Sequence, residues 1–338
     1  MPDLDRRNVV TALALGMASG GCRPAAQSVS RQFFTFATQI NVRIDAPTGA
    51  AAHAAIDALQ ADFAIINRDW YAFGDGELGQ LNRTLQGTTR ATVSPALGKL
   101  LAQALVLRDA SSGLFDPGIG QVSALWGFDR FDAGDAPTTM PTASALARAI
   151  AIRDAGFTVT PADPDWVIET GRPGLVIDVG GIAKGSALQR GASLLQRLGV
   201  ERALLDAGGD IMTLGRNSGS RFRIGLRDPR ATGVSAAVTV LPGEAVMSSG
   251  DYARYWVLDG NRYQHIIDPR DGSPVVAAQA STVIHRDPTL ADAAATALIV
   301  AGSADFLPVC DAMGVDKALL IDNLGIMSTT PAMHERLL

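Results

Sequence analysis

An acid, two adjacent glycines and a lysine follow one another between Asp178 and Gly185, in the order D-V-G-G-I-A-K-G. An apolar run (175–177) precedes them and a helix-like segment (186–198) follows, so the pattern predicts a strand, a glycine turn and a helix start. Free N–H groups at a helix start and the charge of Lys184 favour phosphate, whereas Asp178 favours a hydroxyl, a ring N–H or a metal. An ordinary strand-turn-helix connection capped by Asp178 explains the segment equally well.

A carboxylate and a hydroxyl stand four residues apart at Asp292 and Thr296, within A-D-A-A-A-T-A-L. This spacing places both side chains on one face of a helix, and the alanines around them allow close approach. Oxygen ligands of this kind suit a hard cation such as Mg²⁺. The alternative is a polar stripe in which Asp292 lies in the first helical turn and favours the helix dipole.

Four further segments combine glycines with acidic residues. They are F-D-P-G-I-G (115–120), L-D-A-G-G-D-I (205–211), M-S-S-G-D-Y (247–252) and H-I-I-D-P-R-D-G (265–272). The serine hydroxyls of the third segment can meet a phosphate, and His265 in the fourth can hydrogen-bond a ligand. Each segment taken alone also fits a plain turn.

The elements that must position these residues change in type along the chain. In the first part, alanine-rich or apolar-striped segments predict helices at 50–70, 95–108 and 144–155. After Pro164, short strands follow one another with few helices between them. Because strands outnumber helices there and are often linked as hairpins, the sequence predicts an α+β fold with mixed or antiparallel sheets and packed helices.

Length and composition limit the function classes. The chain has 338 residues, of which 47% are hydrophobic, so it can bury a sizeable core. Its net charge of -5 argues against a nucleic-acid partner, which would require a basic face. The four histidines are scattered and unpaired, so no zinc ligand set is predicted.

The N-terminus has the features of an export signal. Arg6 and Arg7 precede an apolar run (9–18), and small residues then lead to Cys22. The arginine pair indicates the twin-arginine route, and Cys22 indicates a lipoprotein cleavage site; a cleaved signal without lipid is the alternative. We therefore expect a signal at 1–22, a tether at 23–30 and one domain at 31–338, in a periplasmic lipoprotein held at the inner membrane.

Taken together and in this order, the segments resemble the FAD:protein FMN transferase family, the ApbE-type flavin transferases. The resemblance covers residues 33–326 and includes the landmark W-G-F at 126–128. It implies an ApbE-type, T-fold-like α+β fold. It also implies Mg²⁺-dependent transfer of FMN from FAD, the substrate, to a serine or threonine hydroxyl of a target protein, with release of AMP.

The resemblance implies roles for individual residues. Asp178 and Lys184 would contact FAD, Gly181 would offer its carbonyl to Mg²⁺, and Asp292 and Thr296 would complete the metal site. Lys184 and Asp292 are the expected catalytic residues, and whether Asp292 also deprotonates the acceptor hydroxyl is open at this point. The other FAD contacts implied by position are Phe36, Tyr71, Ala72, Phe73, Leu114, Phe115, Asp116, His265 and Ile266.

Two other functions fit the same glycine turns: an FAD-binding lipoprotein carrier without transfer activity, and an FAD pyrophosphatase that releases FMN and AMP. The pair Asp292 and Thr296 favours the enzyme over the carrier, because a carrier has little need of a magnesium pair beside the diphosphate. The sequence has no evident acceptor motif of the D-x-x-S-G-A-T kind. The chain therefore resembles the modifying enzyme, and the expected partner is a flavoprotein subunit that carries this motif.

Overall fold

A computed structural model describes residues 27–46, 48–129, 139–215 and 221–338. The predicted export signal, the lipidation site at Cys22 and the first part of the tether lie outside these residues.

Helices and strands alternate irregularly along the described chain. The helices are α1 (Gly49–Asp69), α2 (Glu77–Leu85), α3 (Pro95–Ala110), α4 (Gly120–Leu125), α5 (Ala143–Asp154), α6 (Gly180–Arg197), α7 (Pro288–Ala301), α8 (Phe306–Met313) and α9 (Pro331–His334), with a 3₁₀ turn at Pro117–Ile119. The strands are β1 (Gln27–Thr35), β2 (Thr38–Ala46), β3 (Arg90–Val93), β4 (Phe157–Ala162), β5 (Asp165–Thr170), β6 (Arg202–Ala207), β7 (Asp210–Leu214), β8 (Phe222–Arg227), β9 (Val234–Val240), β10 (Ala245–Gly250), β11 (Tyr255–Leu258), β12 (Asn261–Gln264), β13 (Ala278–His285), β14 (Ala318–Asp322) and β15 (Met327–Thr329). Among the described helices, none combines the length and the apolar character that a membrane crossing requires.

The largest sheet has the strand order β1-β2-β6-β7-β10-β13-β14-β15, and its neighbouring strands pair antiparallel. Smaller sheets are formed by β3-β5-β4, by the β8–β9 hairpin and by the β11–β12 hairpin. The predicted α+β fold with antiparallel sheets and packed helices is confirmed.

Alternating residues of the large sheet face two separate hydrophobic cores. On β10, Met247 packs into the core that contains the buried faces of α1, α6 and α7, whereas Val246 packs into a second core with the β8–β9 hairpin. Leu320 and Leu319 of β14 divide in the same way. The sheet is therefore covered on both sides, which explains why these strands are apolar at consecutive positions.

A third apolar cluster lies beside the β11–β12 hairpin. Its buried members are Val122, Trp126, Phe128, Ala149 and Ile267. The Trp126 ring stacks on Tyr263 with a centroid distance of 5.6 Å, and its Nε1–H donates to the Gly272 carbonyl at 2.7 Å. These contacts fix the hairpin against the rest of the chain.

Part of the predicted tether belongs to the sheet instead. Residues 27–30 form the first half of β1, where Gln27 pairs with Ala46 and Ser30 with Arg43. The expected boundary at residue 31 is therefore wrong, because backbone pairing with β2 already begins at Gln27.

The apolar run at 175–177 is not a strand. It is a largely buried segment without regular secondary structure, and its backbone groups bond to the first residue of α4, Gly120, and to one side chain. Asn82 accepts from the Ile177 N–H and donates to the Ile177 carbonyl, both at 2.8 Å, and it also donates to the Ala72 carbonyl at 3.0 Å. The Asn82 amide thus supplies the hydrogen bonds that a neighbouring strand would otherwise provide.

Candidate functional site

The two adjacent glycines lie inside a helix and not in a turn before it. Helix α6 begins at Gly180, and neither Gly180 nor Gly181 has a positive φ. The Asp178 carboxylate accepts from the Gly180 N–H at 2.8 Å, so it bonds to the exposed start of the helix. The predicted helix start at Ser186 is therefore wrong by six residues, because both glycines belong to the helix and neither adopts a left-handed turn, while Gly181 packs closely against Phe115 and Thr296.

Helices α6 and α7 cross at Gly185. A Cβ atom placed on Gly185 would lie 2.2 Å from the Pro288 carbonyl oxygen and 2.9 Å from Asp292 Cβ. The Gly185 N–H donates to Asp292 Oδ2 at 2.8 Å. In a regular helix this N–H points at the carbonyl of Gly181, one turn earlier. The crossing therefore brings the Asp292 carboxylate to the helical turn that carries the Gly181 carbonyl.

Thr296 lies one helical turn after Asp292 on α7 and is close to the same turn of α6. A Cβ atom on Gly181 would lie 3.3 Å from Thr296 Oγ1 and 3.1 Å from the Phe115 ring. The hydroxyls of Thr296 and Ser249 are 3.3 Å apart. Gly181, Asp292 and Thr296, the three predicted metal ligands, are thus brought together, and Ser249 of β10 adjoins them. The predicted turn at 247–252 is wrong, because β10 runs to Gly250.

Lys184 lies on the adjacent turn of α6, where its ammonium donates to Asp210 Oδ2. Burial lowers the pKa of Lys184, but the carboxylates of Asp210 and Asp292 outweigh it and leave this pKa above its usual value. Burial and the Asp210 carboxylate raise the pKa of Asp292 to about 8, against the opposing effects of Lys184 and the Gly185 N–H. Two carboxylates thus lie within the electrostatic influence of one ammonium, and the raised pKa means that Asp292 retains its proton near pH 7 unless a cation compensates its charge.

A second group of predicted contacts surrounds Arg254. His265 Nδ1 lies 3.1 Å from the Arg254 carbonyl oxygen; since a carbonyl only accepts, Nδ1 carries the proton and Nε2 is left as an acceptor. Burial and the Arg254 charge lower the pKa of His265 to about 4, so the ring is neutral near pH 7. Burial raises the pKa of Asp178, and Arg254 partly offsets this rise. Asp178 and His265 therefore both lie within the electrostatic reach of one guanidinium.

The aromatic segment after α1 adjoins this second group. Tyr71 donates its hydroxyl proton to the Asp129 carbonyl at 2.8 Å, and its ring meets Phe73 edge-on at a centroid distance of 6.0 Å. Burial raises the pKa of Tyr71, and the charge of Arg254 partly offsets this rise. Ala72 is buried, and its carbonyl is already used by Asn82.

The segment at 114–116 contributes an aromatic ring beside Gly181 and a carboxylate that caps the 3₁₀ turn. Leu114 and Phe115 are buried, and the Phe115 ring borders Gly181. Asp116 caps the 3₁₀ turn by accepting from the Gly118 N–H at 2.8 Å, and its other oxygen lies 3.6 Å from Arg153 Nε. Burial raises the pKa of Asp116. Both Asp116 oxygens thus have partners within the fold, so a contact of this side chain with FAD stays a prediction.

The last two predicted contacts are Phe36 and Ile266. Phe36 occupies the tight turn between β1 and β2 with φ 52, and its ring packs on Phe63 of α1 at 5.4 Å between centroids. Ile266 is buried, and its carbonyl accepts from the Val275 N–H at 2.9 Å. The described contacts of Phe36 are with the core and not with Lys184 or Asp292.

Two residues of the site were not among the predicted contacts: Asp210 and Arg254. Ser249 is predicted only as one of the hydroxyls that can meet a phosphate, and nothing local to Asp210 or Ser249 shows that these side chains reach α6 and α7. Arg254 carries no sequence signal beyond its place two residues after S-G-D-Y. The position of these residues in the site depends on packing between distant segments of the chain.

The chain matches a family model described as "ApbE family" over residues 36–319. It is 37% identical over 331 residues to an FAD:protein FMN transferase of Rhodobacter capsulatus, which covers 96% of this chain and 62% of that protein. It is 32% identical over 324 residues to an FAD:protein FMN transferase of Treponema pallidum (strain Nichols), covering 88% of this chain and 85% of that protein.

Solved structures agree with these matches. The ApbE protein of Thermotoga maritima has a TM-score of 0.80 at 27% identity, covering 92% of this chain and 99% of that one. The apo form of the flavinyl transferase ApbE of Pseudomonas stutzeri has a TM-score of 0.78 at 25% identity, covering 92% of this chain and 97% of that one. The similarity therefore extends over nearly all of the described fold.

Proposed function

This chain belongs to the ApbE family, and we propose that it is an FAD:protein FMN transferase. It would move the FMN half of FAD to a serine or threonine hydroxyl of an acceptor protein and release AMP. The observation that carries this proposal is the convergence of Gly181, Lys184, Asp292 and Thr296 at the crossing of α6 and α7. These residues come from segments that the family resemblance had already linked to FAD and to a metal.

The residues at the crossing fit a divalent cation. Among the described residues, no three His, Cys, Asp or Glu side chains cluster as a metal site, so the ligands would have to include a carbonyl and a hydroxyl. Gly181, Asp292 and Thr296 offer these oxygens, which suit Mg²⁺. Ionising Asp292 beside Asp210 would leave one carboxylate charge more than Lys184 balances, and a bound cation would compensate that charge. When bound, Mg²⁺ would neutralise diphosphate charge and polarise the phosphorus.

The side chains of the site support each part of the transfer. The acceptor hydroxyl would give its proton to a base, for which Asp292 is the candidate, and its oxygen would attack the FMN phosphorus in line. The bond from that phosphorus to the bridging oxygen would break, and AMP would leave with the bonding electron pair. Lys184 would hold the diphosphate and stabilise the charge that grows on the AMP side. The Gly180 and Gly181 main chain admits the diphosphate closely because no Cβ intervenes.

The flavin and adenine rings would lie toward the second group of residues. Tyr71 and Phe73 offer aromatic faces, and the neutral His265 offers Nε2 as a hydrogen-bond acceptor. Asp178, beside Arg254, would accept from a hydroxyl or a ring N–H of FAD. Phe36, Ala72, Leu114, Phe115, Asp116 and Ile266 remain proposed FAD contacts on the strength of their positions in the family.

The decisive experiment incubates the purified protein with FAD, Mg²⁺ and a candidate acceptor domain that carries a D-x-x-S-G-A-T-like motif. We expect flavin fluorescence on the acceptor after denaturing electrophoresis, and none when the acceptor serine or threonine is replaced by alanine or when EDTA removes the metal. Bound flavin without transfer would instead identify a carrier. Release of FMN and AMP without acceptor would identify a pyrophosphatase.

We also propose that the protein is exported and anchored in the membrane by lipid on Cys22. The support is the residue pattern at 1–22, with its arginine pair, short apolar run and small residues. If this is right, Cys22→Ala will shift the protein from the membrane fraction to the soluble periplasmic fraction. Unchanged fractionation would contradict the anchor without affecting the proposed activity.

A further inference from the structure

The ammonium of Lys184 lies beside a buried carboxylate, and the Lys184 side chain as a whole is partly exposed. Its side chain is 33% exposed, whereas that of its partner Asp210 is only 1% exposed. An ammonium has three donors, and Asp210 occupies one of them. Asp210 leaves the other two donors unused, and a diphosphate would accept from them under the proposed function.

Asp210 is itself fixed by the sheet. It is the first residue of β7, directly after the turn glycines Gly208 and Gly209, whose φ values are 69 and 103. Its Oδ1 accepts from the Ser248 N–H of β10 at 2.9 Å, while its Oδ2 accepts from Lys184. Each oxygen thus has its own partner, and the carboxylate cannot rotate without losing one of them.

We propose that Asp210 is a positioning residue for Lys184, and this proposal rests on the proposed transferase function. Lysine has a flexible four-carbon stem and loses rotamer freedom when it binds a ligand. By accepting a hydrogen bond from the ammonium, Asp210 fixes the position of the remaining Lys184 donors before FAD binds. Such preorganisation benefits the transition state more than ground-state binding.

The test uses Asp210→Asn in the full chain. The asparagine oxygen can still accept from the Ser248 N–H, but an amide group replaces the oxygen that faces Lys184. We expect the rate constant of FMN transfer to fall on the order of 10-fold or more, while the FAD dissociation constant stays within about 3-fold and thermal unfolding changes little. Asp210→Glu should recover part of the rate, because it restores the charge.

The matched control is Asp206→Asn in the same hairpin. Asp206 is also buried, but it accepts from Asn41 and from the Gly209 N–H and does not bond to Lys184. Its variant should transfer FMN at a rate close to that of the wild-type chain. In a Lys184→Ala background, which should itself weaken FAD binding, Asp210→Asn should lower the single-turnover rate no further, since its target is gone.

Three outcomes would overturn the proposal. The first is that Asp210→Asn transfers FMN at the wild-type rate. The second is that it loses rate, FAD affinity and thermal stability to the same extent. The third is that Asp210→Asn lowers the rate equally in the wild-type and the Lys184→Ala backgrounds. If the wild-type chain itself transfers no FMN, the proposed function fails, which the same assay distinguishes from a failure of this inference alone.

Discussion

At the scale of single residues, the site is defined by a buried carboxyl group whose ionised form the fold disfavours. Asp210 and Asp292 share the single ammonium of Lys184, and Asp292 responds with a pKa of about 8. Burying such a group costs stability unless a ligand compensates it. This unfavourable burial is located at the crossing of α6 and α7, where substrate and cation would bind.

The first prediction concerns Asp292→Asn. The asparagine oxygen can still accept from the Gly185 N–H, so the helix crossing should persist, but the charge that would hold the cation is lost. We expect Mg²⁺ activation of transfer to weaken by at least about 10-fold, with an unchanged circular dichroism spectrum. Transfer at the normal rate and the normal Mg²⁺ dependence would remove Asp292 from the metal site.

The second prediction concerns His265 and pH. Its pKa is about 4 in the folded chain against an ordinary value of 6.5, so the folded state binds fewer protons than the unfolded state. The contribution of His265 to the free energy of unfolding is therefore complete above pH 6.5. It decreases as the pH falls toward 4, by at most about 3 kcal/mol. Urea unfolding of the wild-type chain and of His265→Asn across this window measures the difference, which should shrink as the pH falls. A constant difference would show that His265 is not held neutral.

At the scale of elements, the site depends on how closely α6 and α7 approach. Gly185 and the alanines beside Asp292 leave room for this approach, and the Gly185 N–H bond to Asp292 uses it. The spacing of Asp292 and Thr296 places both side chains on one face of α7, but only the close packing of α6 and α7 brings them to Gly181.

The third prediction is that Gly185→Ala destabilises the protein by roughly 2–4 kcal/mol, because the new methyl would overlap the Pro288 carbonyl. Gly180→Ala is the control on the same helix, since a Cβ there meets only Asp178 Oδ1, at 3.2 Å. It should change stability by less than about 1 kcal/mol. Denaturant unfolding of both variants gives the comparison, and equal stability would argue against tight packing at the crossing.

The fourth prediction concerns Asn82, which bonds to both backbone groups of Ile177. Asn82→Ala would leave a buried N–H and a buried carbonyl without their partner, at a cost of about 2–4 kcal/mol. We also expect weaker FAD binding, because Asp178 directly follows the segment that Asn82 holds. Unfolding and flavin titration measure the two effects; a variant that keeps both values would show that the segment is held by other contacts.

At the scale of the whole molecule, the large sheet is a platform covered on both faces, and the site forms where helices from one core meet strand residues from β7 and β10. These parts are distant in the chain: Lys184 and Asp210 are 26 residues apart, and Gly185 and Asp292 are 107 apart. Ligand binding should therefore stabilise the fold as a unit.

The fifth prediction is that FAD and Mg²⁺ together raise the melting temperature more than the sum of their separate effects. At 100 times the dissociation constant, a ligand adds about 2.7 kcal/mol, which corresponds to several degrees for a chain of this size. Differential scanning fluorimetry or calorimetry measures this effect, and Asp292→Asn should abolish the synergy. Purely additive shifts would mean that metal and FAD bind independently.

Much of the fold and of the site followed from local rules. Helical spacing placed Asp292 and Thr296 on one face, and alternation or apolar runs located most strands after Pro164. Local rules failed at 175–177, where apolar residues with strand character are paired by the Asn82 amide instead of by another strand. They also failed at Gly180 and Gly181, since glycine signals a turn or a close approach without telling which.

The sequence by itself determined the family and the α+β class, and it predicted the residues that would meet a phosphate and a cation. Only the tertiary structure decided which of these residues come together, and it added Asp210 and Arg254. The physical reason is that backbone propensity and side-chain period act over a few residues, whereas the charges around Lys184 are those of side chains that packing brings together from separate segments of the chain.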